Sequence, residues 1–246
     1  MFPISDSVQR TRTPVLVWCL IAANIVAFVY QVTLTNQEAA AFLREYALVP
    51  KRYFNWQWAI GQGLSPSDMT PFLTSMFLHG SILHILFNMW TLFIFGPALE
   101  DRLGSGRFAV LYLLSGLGAG MLHLIFNWSS QIPTLGASGA IAGLIAAYAL
   151  RFPFAWVNVL VPIIFIPLVF TIPAQFFAGL WFVMQILQGT TALFSPTQGG
   201  GIAWWAHIGG FATGWALLRL LGPGRHLYPT GRNHKRQRAP AQKPKP

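Results

Sequence analysis

Apolar runs separated by short polar segments dominate this chain. A bilayer core about 30 Å thick requires about 20 helical residues, so a run of that length predicts a membrane-spanning helix. Five runs of this kind cover residues 15–34, 76–95, 108–128, 173–193 and 203–221. A shorter apolar helix is predicted over 138–150, before Arg151-Phe152-Pro153. The pattern therefore predicts an all-α membrane protein, a six-transmembrane-helix bundle with a short central fourth helix.

The apolar stretch 154–172 has two interpretations. Prolines recur at 153, 162, 167 and 173, and each removes a helical hydrogen bond. With six spans both termini share one side, which collects thirteen of the sixteen Lys and Arg residues. A seventh span would place the basic tail outside, against the positive-inside bias. We therefore expect 154–172 to pack irregularly near the cytoplasmic face.

Composition agrees with a membrane protein and defines three segments. The 246 residues are 54% hydrophobic and 9% charged. We expect a cytoplasmic N-terminal segment at 1–14, a membrane domain at 15–221 and a basic, disordered cytoplasmic tail at 222–246. The long connection 35–70, with its aromatic and charged residues, suits the membrane interface. A chain without a targeting extension points to a prokaryotic plasma membrane.

Charge and cysteine content exclude several classes of protein. The net charge is +10, but eight of the sixteen basic residues lie from Arg219 onward. A proline-rich basic tail is typical of a solvated segment that contacts anionic lipid headgroups, so we expect the lipid bilayer and not nucleic acid as a partner. The single cysteine, Cys19, excludes a disulfide framework and a cysteine-based metal site.

Ser138 opens the short fourth helix among glycines and alanines. A helix of thirteen residues reaches only about 20 Å, so its N-terminus would lie below the outer membrane surface. The N–H groups of that helix end need a wet cavity or protein partners. Because the positive end of the helix dipole points at Ser138, this serine is a candidate nucleophile. A small-residue packing helix with an incidental serine is the alternative.

Three sequence-distant polar residues are predicted to lie at one depth. Each lies 12 or 13 residues before a charged residue that is expected at the cytoplasmic surface. The pairs are Asn88 and Glu100, Ser138 and Arg151, and His207 and Arg219. At 1.5 Å per residue the three lie about 18–20 Å above that surface. His84 shares a helix face with Asn88 and lies about 6 Å higher.

This set of side chains matches the requirements of acyl transfer. A serine hydroxyl needs a base to remove its proton, and His207 is the candidate. Asn88, His84 and the Ser138 backbone N–H are candidate donors to an oxyanion. All six acidic residues are expected in loops, turns or tails, so the sequence predicts a Ser–His dyad. For each polar residue, a hydrogen bond that only joins helices remains the alternative.

Together these motifs resemble the rhomboid family of intramembrane serine proteases over most of residues 70–221. The similarity rests on H-x4-H-x3-N at His79, His84 and Asn88, on Glu100-x-Arg102, on Gly136-x-Ser138-Gly139, and on A-H-x2-G-x3-G from Ala206 to Gly214. It implies a six-helix fold and a catalytic dyad of Ser138 and His207. His79, Gly136 and Gly139 would support the site. The implied substrates are transmembrane segments of other proteins, cleaved near the outer face, with no cofactor and no metal.

Two positions depart from the family pattern. Relatives commonly carry an aromatic residue four positions after the serine, against which the histidine packs, and here that residue is Ala142. Many relatives carry a Trp-Arg pair where this chain reads Asp68-Met69-Thr70-Pro71.

The main alternative function is that of a non-catalytic relative, which binds and escorts membrane proteins. A transporter or channel is a third possibility. Neither the substrate nor the oligomeric state follows from the sequence.

Overall fold

A computed structural model describes residues 2–163, 166–194 and 203–222, which are mostly helical. The predicted tail lies outside these residues except for Gly222. The helices in chain order are α1 (Val15–Thr33), α2 (Asn36–Tyr46), α3 (Pro50–Phe54), α4 (Trp56–Gly61), α5 (Thr70–Thr74), α6 (Ile82–Leu103), α7 (Ser105–Phe126), α8 (Ser138–Arg151), α9 (Ala174–Phe194) and α10 (Trp204–Leu221).

Within the described residues, α1, α6 and α7 are long and apolar enough to cross a membrane, and α8 is a shorter apolar helix. The bounds predicted for the second run were wrong, because α6 begins at Ile82 and not near residue 76. The Ser81 side chain accepts from the backbone N–H of His84 and caps this helix end. The helix then continues through Pro97 and ends at Gly104, whose φ is +80°. Such a φ favours glycine.

The charged residues after Pro97 were expected in a turn, but they form the buried last turn of α6. The Glu100 carboxylate accepts from the backbone N–H groups of Leu16 and Val17, both at 2.9 Å. These are first-turn N–H groups of α1 that no intrahelical bond satisfies. Asp101 likewise accepts from the backbone N–H of Thr11 at 2.8 Å. The carboxylates therefore fix α1 to α6.

A three-stranded antiparallel sheet departs from the all-α prediction. Strand β1 (Phe2–Asp6) pairs with β2 (Trp156–Ile163), which pairs with β3 (Ile166–Pro173). The expectation of irregular packing for 154–172 was therefore wrong. Prolines 162 and 167 face each other at the hairpin tip, where they interrupt few ladder bonds. The segment is rich in β-branched residues, which favour strands. Its backbone groups bond between strands, whereas in a helix each proline would remove a hydrogen bond.

The sheet lies against α6. The Phe2 ring stacks on Phe87 with centroids 4.9 Å apart, and the indole N–H of Trp90 donates to the Pro3 carbonyl at 2.7 Å. At the other end of β1, the Tyr148 hydroxyl donates to Asp6 at 2.7 Å. The N-terminal segment is thus packed on the helices.

The connection 35–70 contains the short helices α2 to α4 and centres on a buried arginine. The Arg52 side chain is fully buried and donates to the carbonyls of Glu45 and Ser65. It also lies 2.9 Å from a carboxylate oxygen of Asp68. Hydrogen bonds from Thr70, with Arg52 nearby, lower the pKa of Asp68, which keeps this carboxylate charged. Although this loop lacks the Trp-Arg pair, the contacts of Arg52 hold it together.

Glycines bring the backbones of α8 and α10 into direct contact. A Cβ atom at Gly210 would overlap the carbonyl oxygen of Gly139, and one at Gly214 would overlap that of Gly143. The two contacts are one helical turn apart on both helices, so they set the register between α8 and α10. This close packing of small residues is typical of membrane helices.

Candidate active site

Ser138 is the first residue of α8, and the segment before it is held from several directions. Thr134 and Leu48 exchange two backbone hydrogen bonds of 2.9 Å. The Gly136 N–H donates to the Ser75 carbonyl at 2.8 Å. Gly136 has a φ of +124°, which residues with a Cβ rarely adopt. These contacts orient a half-buried hydroxyl at a helix N-terminus that has no side-chain cap.

His207 lies beside this hydroxyl. Its Nε2 atom is 2.9 Å from the Ser138 Oγ, within hydrogen-bonding distance. His207 precedes Gly210 by nearly one turn of α10, and Gly139 directly follows Ser138. The contact between the two glycines therefore brings the imidazole to the level of the hydroxyl, because a side chain at Gly210 would overlap the Gly139 carbonyl oxygen and separate the helices.

The remaining contacts of the imidazole come from residues that no sequence motif indicated. Oε1 of Gln185, in α9, lies 2.8 Å from His207 Nδ1. The Trp181 and Trp204 rings flank the imidazole, with centroids at 5.7 and 6.1 Å. No sequence signal distinguished Gln185 from other polar residues of apolar helices.

His84 and Asn88 converge on Gly136, two residues before the serine. A Cβ atom at Gly136 would lie 2.7 Å from His84 Nε2 and 3.6 Å from Asn88 Nδ2. Asn88 is 7% exposed, and its Nδ2 has no hydrogen-bond partner among the described residues. Burying an amide without a hydrogen-bond partner costs free energy, so such a group calls for an explanation. A role in binding or catalysis is one such explanation. This amide is thus a free donor next to the serine loop.

His79 lies in the loop before α6 and is 2% exposed. Its ring packs edge-on against His84, with centroids 5.0 Å apart. Its backbone N–H donates to Gln31 Oε1, and the Gln31 amide donates back to its carbonyl. His79 therefore supports His84 from the side of α1. A further histidine, His123, bonds Thr134 at 2.7 Å and so holds the loop that leads to Ser138.

A cavity of about 30 Å³ lies next to the serine. Its walls include Ser75, Thr134, Gly136 and Ser138. This volume accommodates at least one water molecule, and the polar wall offers it hydrogen bonds. A hydroxyl, an imidazole, a free amide donor and room for water are the components of acyl transfer. Among the residues that the structure describes, no group of three His, Cys, Asp or Glu side chains is arranged to hold a metal ion.

Comparison with known proteins identifies the family of this chain. The model of the rhomboid domain matches residues 66–224. RHOMBOID-like protein 6, mitochondrial, of Arabidopsis thaliana is 32% identical over 152 residues, which is 61% of this chain and 42% of that protein. Rhomboid protein 1, mitochondrial, of Saccharomyces cerevisiae is 26% identical over 210 residues, or 83% of this chain and 53% of that protein.

A bacterial relative is also similar over a shorter segment. Rhomboid protease GluP of Bacillus subtilis is 41% identical over 75 residues, which is 30% of this chain and 14% of that protein. The matched segments span about half or less of each of these relatives. The family match covers more than half of the present chain and includes Ser138 and His207. This chain, a multi-pass membrane protein, therefore belongs to the rhomboid family.

Proposed function

We propose that this protein is an intramembrane serine endopeptidase that uses Ser138 and His207 as a catalytic dyad. The hydrogen bond of 2.9 Å between His207 Nε2 and Ser138 Oγ carries this proposal. A nucleophile within reach of a base is the arrangement that activates serine in acyl transfer. Membership of a family with named proteases supports the same class of reaction.

The reaction follows from the positions of these groups. His207 accepts the Ser138 proton as Oγ attacks the carbonyl carbon of the scissile bond, which gives a tetrahedral intermediate. The protonated imidazole then donates that proton to the leaving amine. Water, activated by the same imidazole, hydrolyses the acyl-enzyme and restores the serine. Asn88 Nδ2, the His84 ring and the Ser138 backbone N–H stabilise the oxyanion, assisted by the positive end of the α8 dipole.

The membrane arrangement belongs to the same proposal. Helices α1, α6, α7, α8, α9 and α10 are the six spans, with α8 as the short fourth one. Both termini are cytoplasmic, because this places most of the basic residues on that side. The serine then lies toward the outer face, where transmembrane segments of substrate proteins are cleaved. Relatives from mitochondria, a plant and a bacterium do not single out the prokaryotic plasma membrane expected from the sequence.

Reaction with a fluorophosphonate tests the nucleophile directly. The detergent-purified protein is treated with this serine-directed reagent, and the adduct is located by peptide mass spectrometry. We expect one adduct, on Ser138, because the His207 imidazole lies 2.9 Å from this serine hydroxyl and can remove its proton. An unlabelled protein would favour the alternative of a non-catalytic escort, and an adduct on another serine would overturn the assignment of Ser138.

Asn88→Ala tests the oxyanion donor. We expect kcat for a transmembrane substrate to fall by about 10²–10³-fold with little change in KM, because the donor acts mainly in the transition state. The unfolding temperature in detergent should change little, since Nδ2 has no partner to lose among the described residues.

Asn24→Ala is the matched control, because Asn24 is a buried asparagine of α1 whose amide donates to the Leu20 carbonyl. This control should leave kcat within a few-fold of the wild-type value. If Asn88→Ala lowers the unfolding temperature and leaves kcat unchanged, Asn88 only joins helices.

A further inference from the structure

Gln185 is a buried polar residue in the apolar helix α9. Its side chain is 6% exposed, and both of its polar atoms are bonded. The amide nitrogen Nε2 donates to the Trp181 backbone carbonyl at 3.3 Å. The oxygen Oε1 lies 2.8 Å from His207 Nδ1. The side chain thus connects the backbone of α9 to the imidazole on α10.

These contacts determine which way the amide faces. A backbone carbonyl accepts hydrogen bonds and cannot donate them, so the amide nitrogen must face Trp181. The oxygen Oε1 then faces His207, and it can only accept. The hydrogen between Gln185 and His207 must therefore be on Nδ1 of the imidazole.

The tautomer of His207 follows from this assignment. In a neutral imidazole one nitrogen carries the hydrogen and the other is an acceptor. With the hydrogen on Nδ1, the acceptor is Nε2, which lies 2.9 Å from the Ser138 Oγ. This tautomer can take the serine proton, whereas the other tautomer cannot.

We propose that Gln185 is a positioning residue that holds His207 in the Nδ1–H tautomer and fixes its ring toward Ser138. The proposal rests on the Ser–His dyad proposed above. Gln185 then takes the place that a carboxylate has in a Ser-His-Asp triad, without placing a second charge in the membrane.

The same contacts account for Ala142. The residue four positions after Ser138 is an alanine, and its methyl group cannot support the imidazole as an aromatic ring would. In this chain the support comes from α9, through Gln185 at Nδ1 and the Trp181 ring at 5.7 Å. The histidine is therefore oriented from α9 instead of from α8.

The tautomer of the resting protein is measured by ¹⁵N NMR of histidine-labelled protein in detergent. The His207 signals are assigned by comparison with His207→Gln. We expect wild-type His207 to show a protonated Nδ1 and an unprotonated Nε2. In Gln185→Leu both tautomers should be populated, because nothing then selects between them. A wild-type Nε2 that carries the hydrogen would overturn the proposal, whatever the activity.

Turnover of a transmembrane substrate gives the second readout. We expect Gln185→Leu to lower kcat by at least about 10-fold with little change in KM, but by less than the ~10⁴-fold that a wrong tautomer costs in a Ser-His-Asp protease. Gln185→Glu should restore kcat and the Nδ1–H signal, because a carboxyl group keeps an acceptor oxygen in either charge state. Gln188→Leu, the same change nearly one turn later on α9, is the control and should leave both readouts unchanged.

These outcomes distinguish a failure of the Gln185 proposal from a failure of the Ser–His dyad. If Gln185→Leu and Gln185→Glu lower kcat equally while the His207 tautomer stays as in the wild type, Gln185 only fills space and the proposal is wrong. If Ser138→Ala retains full activity, the dyad itself is wrong. The NMR spectrum of the resting protein does not depend on activity, so it distinguishes these cases.

Discussion

Replacing Ser138 with alanine is expected to reduce cleavage of a transmembrane substrate to the background of the assay. Loss of the nucleophile costs a serine protease of the order of 10⁶-fold in kcat, because no other group can form the acyl-enzyme. The unfolding temperature should remain near the wild-type value, since alanine preserves α8 and Ser138 is only half buried. Turnover of a purified substrate in detergent or liposomes measures the loss.

Ser115→Ala is the matched control for this experiment. Ser115 is a fully buried serine of α7, and its Oγ has no hydrogen-bond partner among the described residues. Removing that hydroxyl should therefore leave both turnover and stability unchanged. Comparable activity loss in the two variants would mean that serine substitutions act through packing. Full activity of Ser138→Ala would remove this residue from the mechanism and favour the escort function.

Replacing Gly210 with alanine is expected to lower activity by about 10²-fold, through a different route. The added methyl group would overlap the Gly139 carbonyl oxygen, which belongs to a helix backbone and cannot rotate away. Overpacking of this kind typically costs about 1–3 kcal/mol and forces backbone shifts. A displacement of about 1 Å between Ser138 and His207 can lower the rate by about 10²-fold.

Thermal unfolding in detergent, together with turnover, checks this prediction. Gly179→Ala in α9 is the control, because a Cβ atom there meets no atom within 4 Å. Alanine is also the better helix former, so this control should be neutral or slightly stabilising. Wild-type stability and turnover for Gly210→Ala would show that the contact between α8 and α10 does not position the dyad.

Local composition was sufficient to predict most of the long apolar helices. The runs predicted at 15–34, 108–128 and 138–150 lie within a few residues of α1, α7 and α8. An apolar run long enough to cross a bilayer must bond its own backbone, so its length and composition indicate a helix without reference to the rest of the chain. Helical rise also placed Ser138, His207 and Asn88 at one predicted depth, which depends only on counting residues.

Only the tertiary structure determined the remaining features. Strand β1 bonds with residues more than 150 positions later, and no local pattern identifies such a partner. The charged end of α6 stays helical because its carboxylates bond α1 and the segment before it. The catalytic roles of Ser138 and His207 stay predictions that the experiments above test. Gln185 was missed because one amide in an apolar helix has no distinguishing sequence signal, and its contact with His207 exists only where α9 and α10 meet.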